Sequence, residues 1–153
     1  LESLLKGKLS YQEYRSQFLA STGLSESDAD TLDAECLKMF ETSYAHTEGL
    51  LQRVSQLFDL YLLSEHCEIF AAHIQNTHSF FRYLKGTLWS YEVGTTKKSA
   101  IALIDRYSLN PSECLIVDDN QVNISVADSM GFSKVHFLEP ESVHQLYRAI
   151  ENG

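Results

Sequence analysis

The 153-residue sequence has few of the features that mark membrane, secreted or disulfide-stabilised proteins. Its apolar runs are only a few residues long, far short of the roughly 20 residues that a membrane span needs. Its start does not resemble a signal peptide. It has three cysteines without a CxxC pair, and six histidines without the spacing of metal ligands. These absences argue against a membrane protein, a disulfide scaffold and a zinc site, and they predict a cytoplasmic protein with free thiols.

Basic residues are also scarce. The sequence has 12 Lys and Arg against 21 Asp and Glu, which gives a formal net charge of −9. A nucleic-acid surface needs clustered Lys and Arg to neutralise phosphates, so this balance argues against nucleic acid as a partner. The apolar fraction of 44% is that of an ordinary globular protein. We therefore expect one domain, or a core with a small appended subdomain, as a monomer or a homodimer.

The most informative segment covers residues 114–131, with the sequence CLIVDDNQVNISVADSMG. A short apolar run leads directly into two adjacent carboxylates, Asp118 and Asp119. Beyond a polar loop, apolar residues recur at helical spacing, and Gly131 can end the helix. This pattern predicts a buried parallel strand, a loop at its carboxyl end and a helix that packs back on the sheet. Two adjacent carboxylates repel each other unless a cation or a basic side chain lies between them, and Mg²⁺ is the natural candidate for the cation.

The periodicity of the chain divides it into two regions. Residues 1–55 have helical patterns, with a capping box at Ser10 and Glu13, a break at Gly23, and a second helix that begins at Ser25 or Ser27. From residue 56 to residue 153, short apolar strands alternate with helices. This alternation predicts an α/β fold with a doubly wound parallel sheet at 56–153, and a small helical subdomain at 1–55.

Polar residues that suit phosphate chemistry follow three of the predicted elements. Ser64 ends one strand, Lys97 lies in a loop that begins with Gly94 and opens a helix, and the Asp118–Asp119 doublet ends another strand. Because the carboxyl ends of parallel strands meet at one edge of a sheet, we expect these side chains to converge there. A hydroxyl, an ammonium group and a Mg²⁺ ion bound by carboxylate can together bind and stabilise a phosphoryl group.

The segments LYLLSEH, SYEVGTTKK and CLIVDDNQVNISVADSMG, in this order, resemble those of the haloacid dehalogenase (HAD) superfamily, in the branch with a helical cap inserted after the first strand. The resemblance runs from about residue 4 to the end. It implies a Rossmann-like HAD core and assigns the helical first region to the cap. The strand end with its serine is a weak signal, the Gly-x-x-Lys loop a moderate one, and the strand followed by the acidic doublet a strong one.

The resemblance also implies a role for each matching position. Ser64 would hydrogen-bond the transferred phosphoryl group, and Lys97 would neutralise the nucleophile and the phosphoryl oxygens. Asp119 would bind Mg²⁺, directly or through water, while Asp118 would orient Lys97 or the metal shell. Asn123 would brace that loop. The implied catalytic residues are Ser64, Lys97 and Asp118, the implied substrate-binding residues are Ser64, Glu65, Lys97 and Asn123, and the implied metal ligand is Asp119.

Two positions depart from the family pattern, and one motif is absent. Glu65 replaces the usual Asn after the serine and adds negative charge beside an anion site, and Lys98 replaces the usual Pro. The family carries its nucleophile in an Asp-x-Asp motif at the end of the central strand, upstream of the cap. The one Asp-x-Asp here, at residues 28–30, follows Ser-Glu-Ser rather than an apolar strand, so we interpret it as the start of a helix.

We therefore expect the nucleophilic strand upstream of Leu1, because the chain does not begin with Met. Without its central strand the sheet would be left as two half-sheets with unpaired edges. The alternative is that the two halves pair directly in a rearranged core.

The function that the resemblance implies is a Mg²⁺-dependent phosphatase, which acts on a small phosphorylated metabolite through an aspartyl-phosphate intermediate. The alternative is a catalytically inactive HAD-like binding or scaffolding protein. Dehalogenation fits less well, because it does not need the metal that the acidic doublet implies. A phospho-acceptor receiver domain is set aside, since its acidic pair comes first in the sequence and its lysine last.

Overall fold

Contacts group the chain into two compact units, Leu1–Thr96 and Lys97–Gly153. The structure is a computed structural model that describes residues 1–43, 47–95, 100–138 and 143–151. The predicted boundary between cap and core at residue 55 stays a prediction. The two units are defined by contacts among their own residues, which does not say where a cap joins a core.

The first unit begins with four helices, and capping boxes mark the starts of two of them. Ser10 and Glu13 form the predicted capping box, and Gly23 ends the same helix in the left-handed conformation with φ of 71°. Ser25, rather than Ser27, begins the next helix, in a second capping box with Asp28. The four helices are α1 (Glu2–Leu5), α2 (Tyr11–Thr22), α3 (Glu26–Met39) and α4 (Thr47–Val54).

A cluster of charged side chains joins α2 to α3. The Arg15 guanidinium forms ion pairs with Asp33 at 2.8 Å and Asp30 at 2.6 Å, and it also pairs with Glu26. The Tyr11 hydroxyl donates a hydrogen bond to Asp33. Burial, together with this hydrogen bond, raises the pKa of Tyr11 above its ordinary range, so the phenol stays neutral. Asp30 is thus an ion-pair partner and Asp28 a capping residue, which confirms that this Asp-x-Asp belongs to a helix start.

The first unit also contains a pair of parallel strands, β1 (Tyr61–Ser64) and β2 (Gly86–Trp89). Tyr61 lies opposite Gly86, and Ser64 lies opposite Trp89. Between the strands run α5 (Glu68–Thr77) and a 3₁₀ helix (Ser79–Tyr83), and α6 (Ser90–Val93) follows β2. The most deeply buried apolar residues of this unit are Cys67, Ala71, Leu88 and Trp89.

The start of the chain packs closely against α6. The buried Ser90 hydroxyl donates a hydrogen bond to the Leu5 carbonyl at 2.6 Å. Gly7 has φ of 62°, and a Cβ atom at this position would lie 2.3 Å from the Tyr91 carbonyl oxygen. Only glycine fits here, because a side chain would be strained in its backbone conformation and would also overlap a neighbouring backbone atom.

The second unit repeats the alternation of helix and strand. Its elements are α7 (Ala100–Tyr107), a 3₁₀ helix (Pro111–Glu113), β3 (Leu115–Asp118), α8 (Gln121–Ser129), β4 (Ser133–His136) and α9 (Val143–Glu151). Strands β3 and β4 are parallel, and Asp118 lies opposite His136. The core of this unit contains Leu103, Ile124, Ala127, Phe132, Val135 and Leu146.

The prediction of a parallel α/β fold is confirmed. In the described ranges the strands form two separate two-stranded sheets, β1 with β2 and β3 with β4. This arrangement agrees with the expected half-sheets. No helix in the described ranges is long and apolar enough to cross a membrane.

Candidate active site

The acidic doublet lies where β3 gives way to α8. Asp118 is the last residue of β3, and Asp119 is the first residue beyond it. The Asp118 carboxylate accepts a hydrogen bond from the Asn120 backbone N–H at 2.7 Å. It also accepts contacts from the Asn123 amide nitrogen at 3.1 and 3.2 Å, one to each carboxylate oxygen. Asn123 is only 5% exposed, so this amide contacts Asp118 from a buried position. The predicted bracing role of Asn123 thus has a matching contact.

Local sequence explains why this turn is so short. The Asn120 side chain caps α8 by accepting a hydrogen bond from the Val122 N–H at 2.9 Å. One turn further on, Ile124 and Ala127 are buried against the strands. The helix must therefore begin two residues after the doublet, which brings Asn123 back toward Asp118.

The Asp119 side chain differs from that of its neighbour. Its carboxylate has no hydrogen-bond or ion-pair partner among the residues that the structure describes. Its backbone carbonyl, in contrast, lies 2.8 Å from Nε2 of His136, at the end of β4. The backbone of Asp119 is therefore held in place, while its carboxylate is open to a ligand as far as the described residues show.

The two carboxylates of the doublet suit Mg²⁺ better than they suit a metal ion that is coordinated entirely by protein side chains. Within the described ranges, no group of three or more His, Cys, Asp or Glu side chains could hold a metal ion. Mg²⁺ usually takes only one or two protein carboxylates and completes its octahedron with water and substrate phosphate oxygens. One available carboxylate, that of Asp119, next to a second that is held in place fits this requirement.

In the first unit, Ser64 is the last residue of β1 and is partly exposed. Its hydroxyl has no hydrogen-bond partner in the described part of the chain, so it is not occupied in satisfying a backbone group. The half-buried Glu65 follows it directly. Ser64 thus has a hydroxyl that can donate to a ligand, as the sequence predicts.

Cys67, three residues after Ser64, is a poor candidate for a nucleophile. It lies just before α5, where a thiolate could in principle be stabilised. However, the residue is buried, and burial raises the pKa of its thiol. The thiol therefore stays protonated and packs as an apolar group.

The structure brings only some of the predicted site residues into contact with each other. Asp118 and Asn123 are brought into contact, and Asp119 is adjacent to them. Lys97 lies outside the described residues, although Gly94 before it ends α6 in the left-handed conformation. The convergence of Ser64, Lys97 and the doublet at one edge therefore stays a prediction.

Sequence reasoning missed two residues of this site. Asn120 both caps α8 and donates its N–H to Asp118. His136 ends β4 and contacts Asp119. The sequence carries one signal for His136, because it is a polar residue near the carboxyl end of the last predicted strand, the kind of position that also indicates Ser64 and the doublet.

Comparison with known proteins gives matches in structure alone. No protein-family model and no curated protein sequence matches this chain. A HAD-family enzyme from Bacteroides thetaiotaomicron, solved with magnesium and inorganic phosphate, matches with a TM-score of 0.79 and 21% identity over 95% of this chain and 78% of that one.

Two further structures show the same relationship. A HAD-like family hydrolase from Porphyromonas gingivalis has a TM-score of 0.72 and 17% identity, over 95% of this chain and 77% of that one. L-2-haloacid dehalogenase from Xanthobacter autotrophicus has a TM-score of 0.63 and 19% identity, over 96% of this chain and 64% of that one. At these identities the likeness establishes the fold, and the resemblance to the HAD superfamily is confirmed at that level.

Proposed function

We propose that this chain, which has the fold of the HAD-like hydrolases, is the cap and the phosphate- and metal-binding part of a Mg²⁺-dependent phosphatase. The substrate would be a small phosphorylated metabolite, because a small helical cap that gates the site favours a small substrate. The structural match to an enzyme solved with magnesium and inorganic phosphate supports this proposal.

The observation that carries the proposal is the contrast within the acidic doublet. Asp118 is held by Asn120 and Asn123, whereas the Asp119 carboxylate has no partner among the described residues. Asp119 is exposed, so its carboxylate can take a hydrated cation from solvent, and Mg²⁺ usually binds through one or two protein carboxylates and keeps several waters. Asp119 would therefore hold Mg²⁺, with Asp118 beside it. When bound, the ion supplies Lewis-acid polarisation of the phosphoryl oxygens.

The remaining predicted residues would act on the phosphoryl group directly. The Ser64 hydroxyl would donate a hydrogen bond to one phosphoryl oxygen, and the Lys97 ammonium would neutralise charge as it develops. The proposal requires both groups to face the same phosphoryl group as Asp119. Glu65 would repel a highly charged substrate, which favours a monoester with few other negative charges.

The nucleophile would come from a strand upstream of residue 1. An Asp carboxylate oxygen there would attack phosphorus, and the P–O bond to the leaving alcohol would break as the alcohol oxygen takes a proton from the second Asp of the Asp-x-Asp motif. Water would then give a proton back to that second Asp and attack the phosphorus of the aspartyl-phosphate, which releases inorganic phosphate and restores the first carboxylate. Exposed apolar residues on β3 support such a partner: Leu115 is 37% exposed and Val117 42%, whereas parallel strands are normally buried on both faces.

The test uses the full-length protein that contains this chain. It should release phosphate from p-nitrophenyl phosphate with Mg²⁺ present and lose this activity when Mg²⁺ is chelated. Asp119→Ala should reduce kcat by at least about 100-fold, since one fixed ligand to the ion is lost. Asp128→Ala is the matched control, because Asp128 lies on α8 with its carboxylate paired to Lys134, and it should leave kcat within about twofold.

Absence of turnover across a broad panel of phosphate esters would contradict the proposal. Release of halide from a 2-haloacid without metal would point to a dehalogenase instead. Sequencing upstream of Leu1 gives an independent check, because the proposal requires an apolar strand there that ends in Asp-x-Asp.

The second candidate is a catalytically inactive binding or scaffolding protein, which Glu65 favours because it places negative charge beside a phosphate site. Equilibrium titrations with Mg²⁺ and inorganic phosphate separate the two candidates. An active phosphatase should bind both ions, whereas a decayed site should bind neither.

A further inference from the structure

His136 contacts the backbone of the acidic doublet from the neighbouring strand. It is the last residue of β4 and lies opposite Asp118 in the parallel pair. Its Nε2 atom is 2.8 Å from the Asp119 carbonyl oxygen. The next residue, Phe137, donates its backbone N–H to the Asp118 carbonyl, also at 2.8 Å. The end of β4 therefore holds two consecutive carbonyl groups of the doublet.

The chemistry of the contact fixes the direction of the hydrogen bond. A carbonyl oxygen can only accept, so Nε2 of His136 must carry the proton and donate it. The bond continues the pairing of β3 with β4 one residue beyond Asp118, where β3 ends. At Asp119 the imidazole N–H of His136 takes the place of a backbone N–H as the donor.

The same peptide unit is held at both of its polar groups. Its carbonyl, from Asp119, accepts from His136, and its N–H, from Asn120, donates to the Asp118 carboxylate at 2.7 Å. The peptide on the other side of Asp119 is held through its carbonyl by Phe137. With both flanking peptide planes fixed, φ and ψ of Asp119 have little freedom, and the direction of its Cα–Cβ bond is set.

We propose that His136 is a positioning residue that aims the Asp119 carboxylate at the metal ion. This inference rests on the proposed function, in which Asp119 is the ligand. Because the Asp119 carboxylate has no partner of its own in the described part of the chain, its direction depends on its backbone. Groups that orient a metal ligand from outside the coordination sphere typically change metal affinity by about 10- to 100-fold when removed.

Two variants of the full-length protein separate the hydrogen bond from the bulk of the side chain. His136→Met keeps much of the volume and removes the donor, whereas His136→Gln keeps an N–H donor near the position of Nε2. Binding of Mn²⁺, followed through the electron paramagnetic resonance signal of the free ion, should weaken roughly tenfold in His136→Met. It should stay within about threefold of the unchanged protein in His136→Gln.

His78 provides the matched control. Its Nε2 atom also contacts a distant backbone carbonyl, that of Phe40, at 2.5 Å, but in the first unit. His78→Met removes the same kind of hydrogen bond, so it should lower the thermal midpoint and leave Mn²⁺ affinity within about twofold. Kinetics give a second readout: excess Mg²⁺ should restore kcat of His136→Met with the KM for substrate unchanged.

Each possible result of the Mn²⁺ titrations either supports or contradicts the positioning role of His136. Equal Mn²⁺ affinity in His136→Met and the unchanged protein would overturn the role of His136 and leave the proposed function intact, as would equal weakening in both His136 variants. No Mn²⁺ binding by the unchanged protein would overturn this role together with the Mg²⁺ dependence of the proposed function. Weakened binding in His136→Met alone, in a protein that hydrolyses no phosphate ester, would support His136 and contradict the phosphatase.

Discussion

Replacing Asn123 with alanine should destabilise the second unit by about 1–2.5 kcal/mol. A hydrogen bond to a charged group contributes roughly 1.5–3 kcal/mol, and the Asn123 amide reaches both oxygens of the Asp118 carboxylate. The amide makes these contacts from a buried position, since Asn123 is 5% exposed. Alanine has the higher helix propensity by roughly 0.5 kcal/mol, which offsets part of the loss.

Urea unfolding followed by far-UV circular dichroism measures this change, which should lower the midpoint without altering the slope m. Asn110→Ala is the matched control. Asn110 is exposed, and its side chain accepts from the Ser112 N–H at 3.2 Å at a 3₁₀-helix start. This variant should lose only about 0.5–1 kcal/mol. If the two variants lose equal free energy of unfolding, the Asn123 amide does not hold Asp118 as described here.

Three further predictions concern the first unit. Gly7→Ala should lower the free energy of unfolding by about 2–4 kcal/mol in urea titration, because the left-handed backbone conformation and the overlap with a neighbouring carbonyl add together. Gly23→Ala, with a similar φ and nothing within 4 Å, should lose only about 1 kcal/mol. The hydrogen bonds from Ser25 lower the pKa of Asp28, so their stabilising effect is present above the ordinary carboxyl pKa of about 4 and is lost as the pH falls through the lowered value. Ser25→Ala should therefore flatten the fall of the thermal midpoint between about pH 5 and pH 2, and an unchanged slope would contradict this cap. Cys67, at 1% exposure, should react with iodoacetamide at least about tenfold more slowly than the other two cysteines, because labelling requires local opening; equal rates by mass spectrometry would show that the site is accessible.

Helix ends that depend on residues close together in the sequence are predicted correctly. Ser10 with Glu13 and Gly23 determine where α2 begins and ends, and both signals act over less than one turn of helix. Residue type alone does not separate Ser25 from Ser27 as the start of α3, since each is a good cap. The structure selects Ser25 because Asp28 three residues later completes a capping box.

The acidic doublet was recognised from its strand and helix, but its surroundings were only partly predicted. The spacing of five residues between Asp118 and Asn123 suggested a brace, and a short turn makes that contact almost unavoidable. The contact from His136 spans 17 residues. It depends on which strand pairs with β3 and in which register, and no local pattern carries that information.

The sequence by itself determined the capping boxes, the alternation of strands and helices, and the acidic doublet with its brace, because each depends on neighbours along the chain. Which histidine contacts the doublet is settled only in the folded chain. The contact depends on the pairing and register of β3 with β4, because His136 lies 17 residues from Asp119 and reaches it only when the two strands pack side by side.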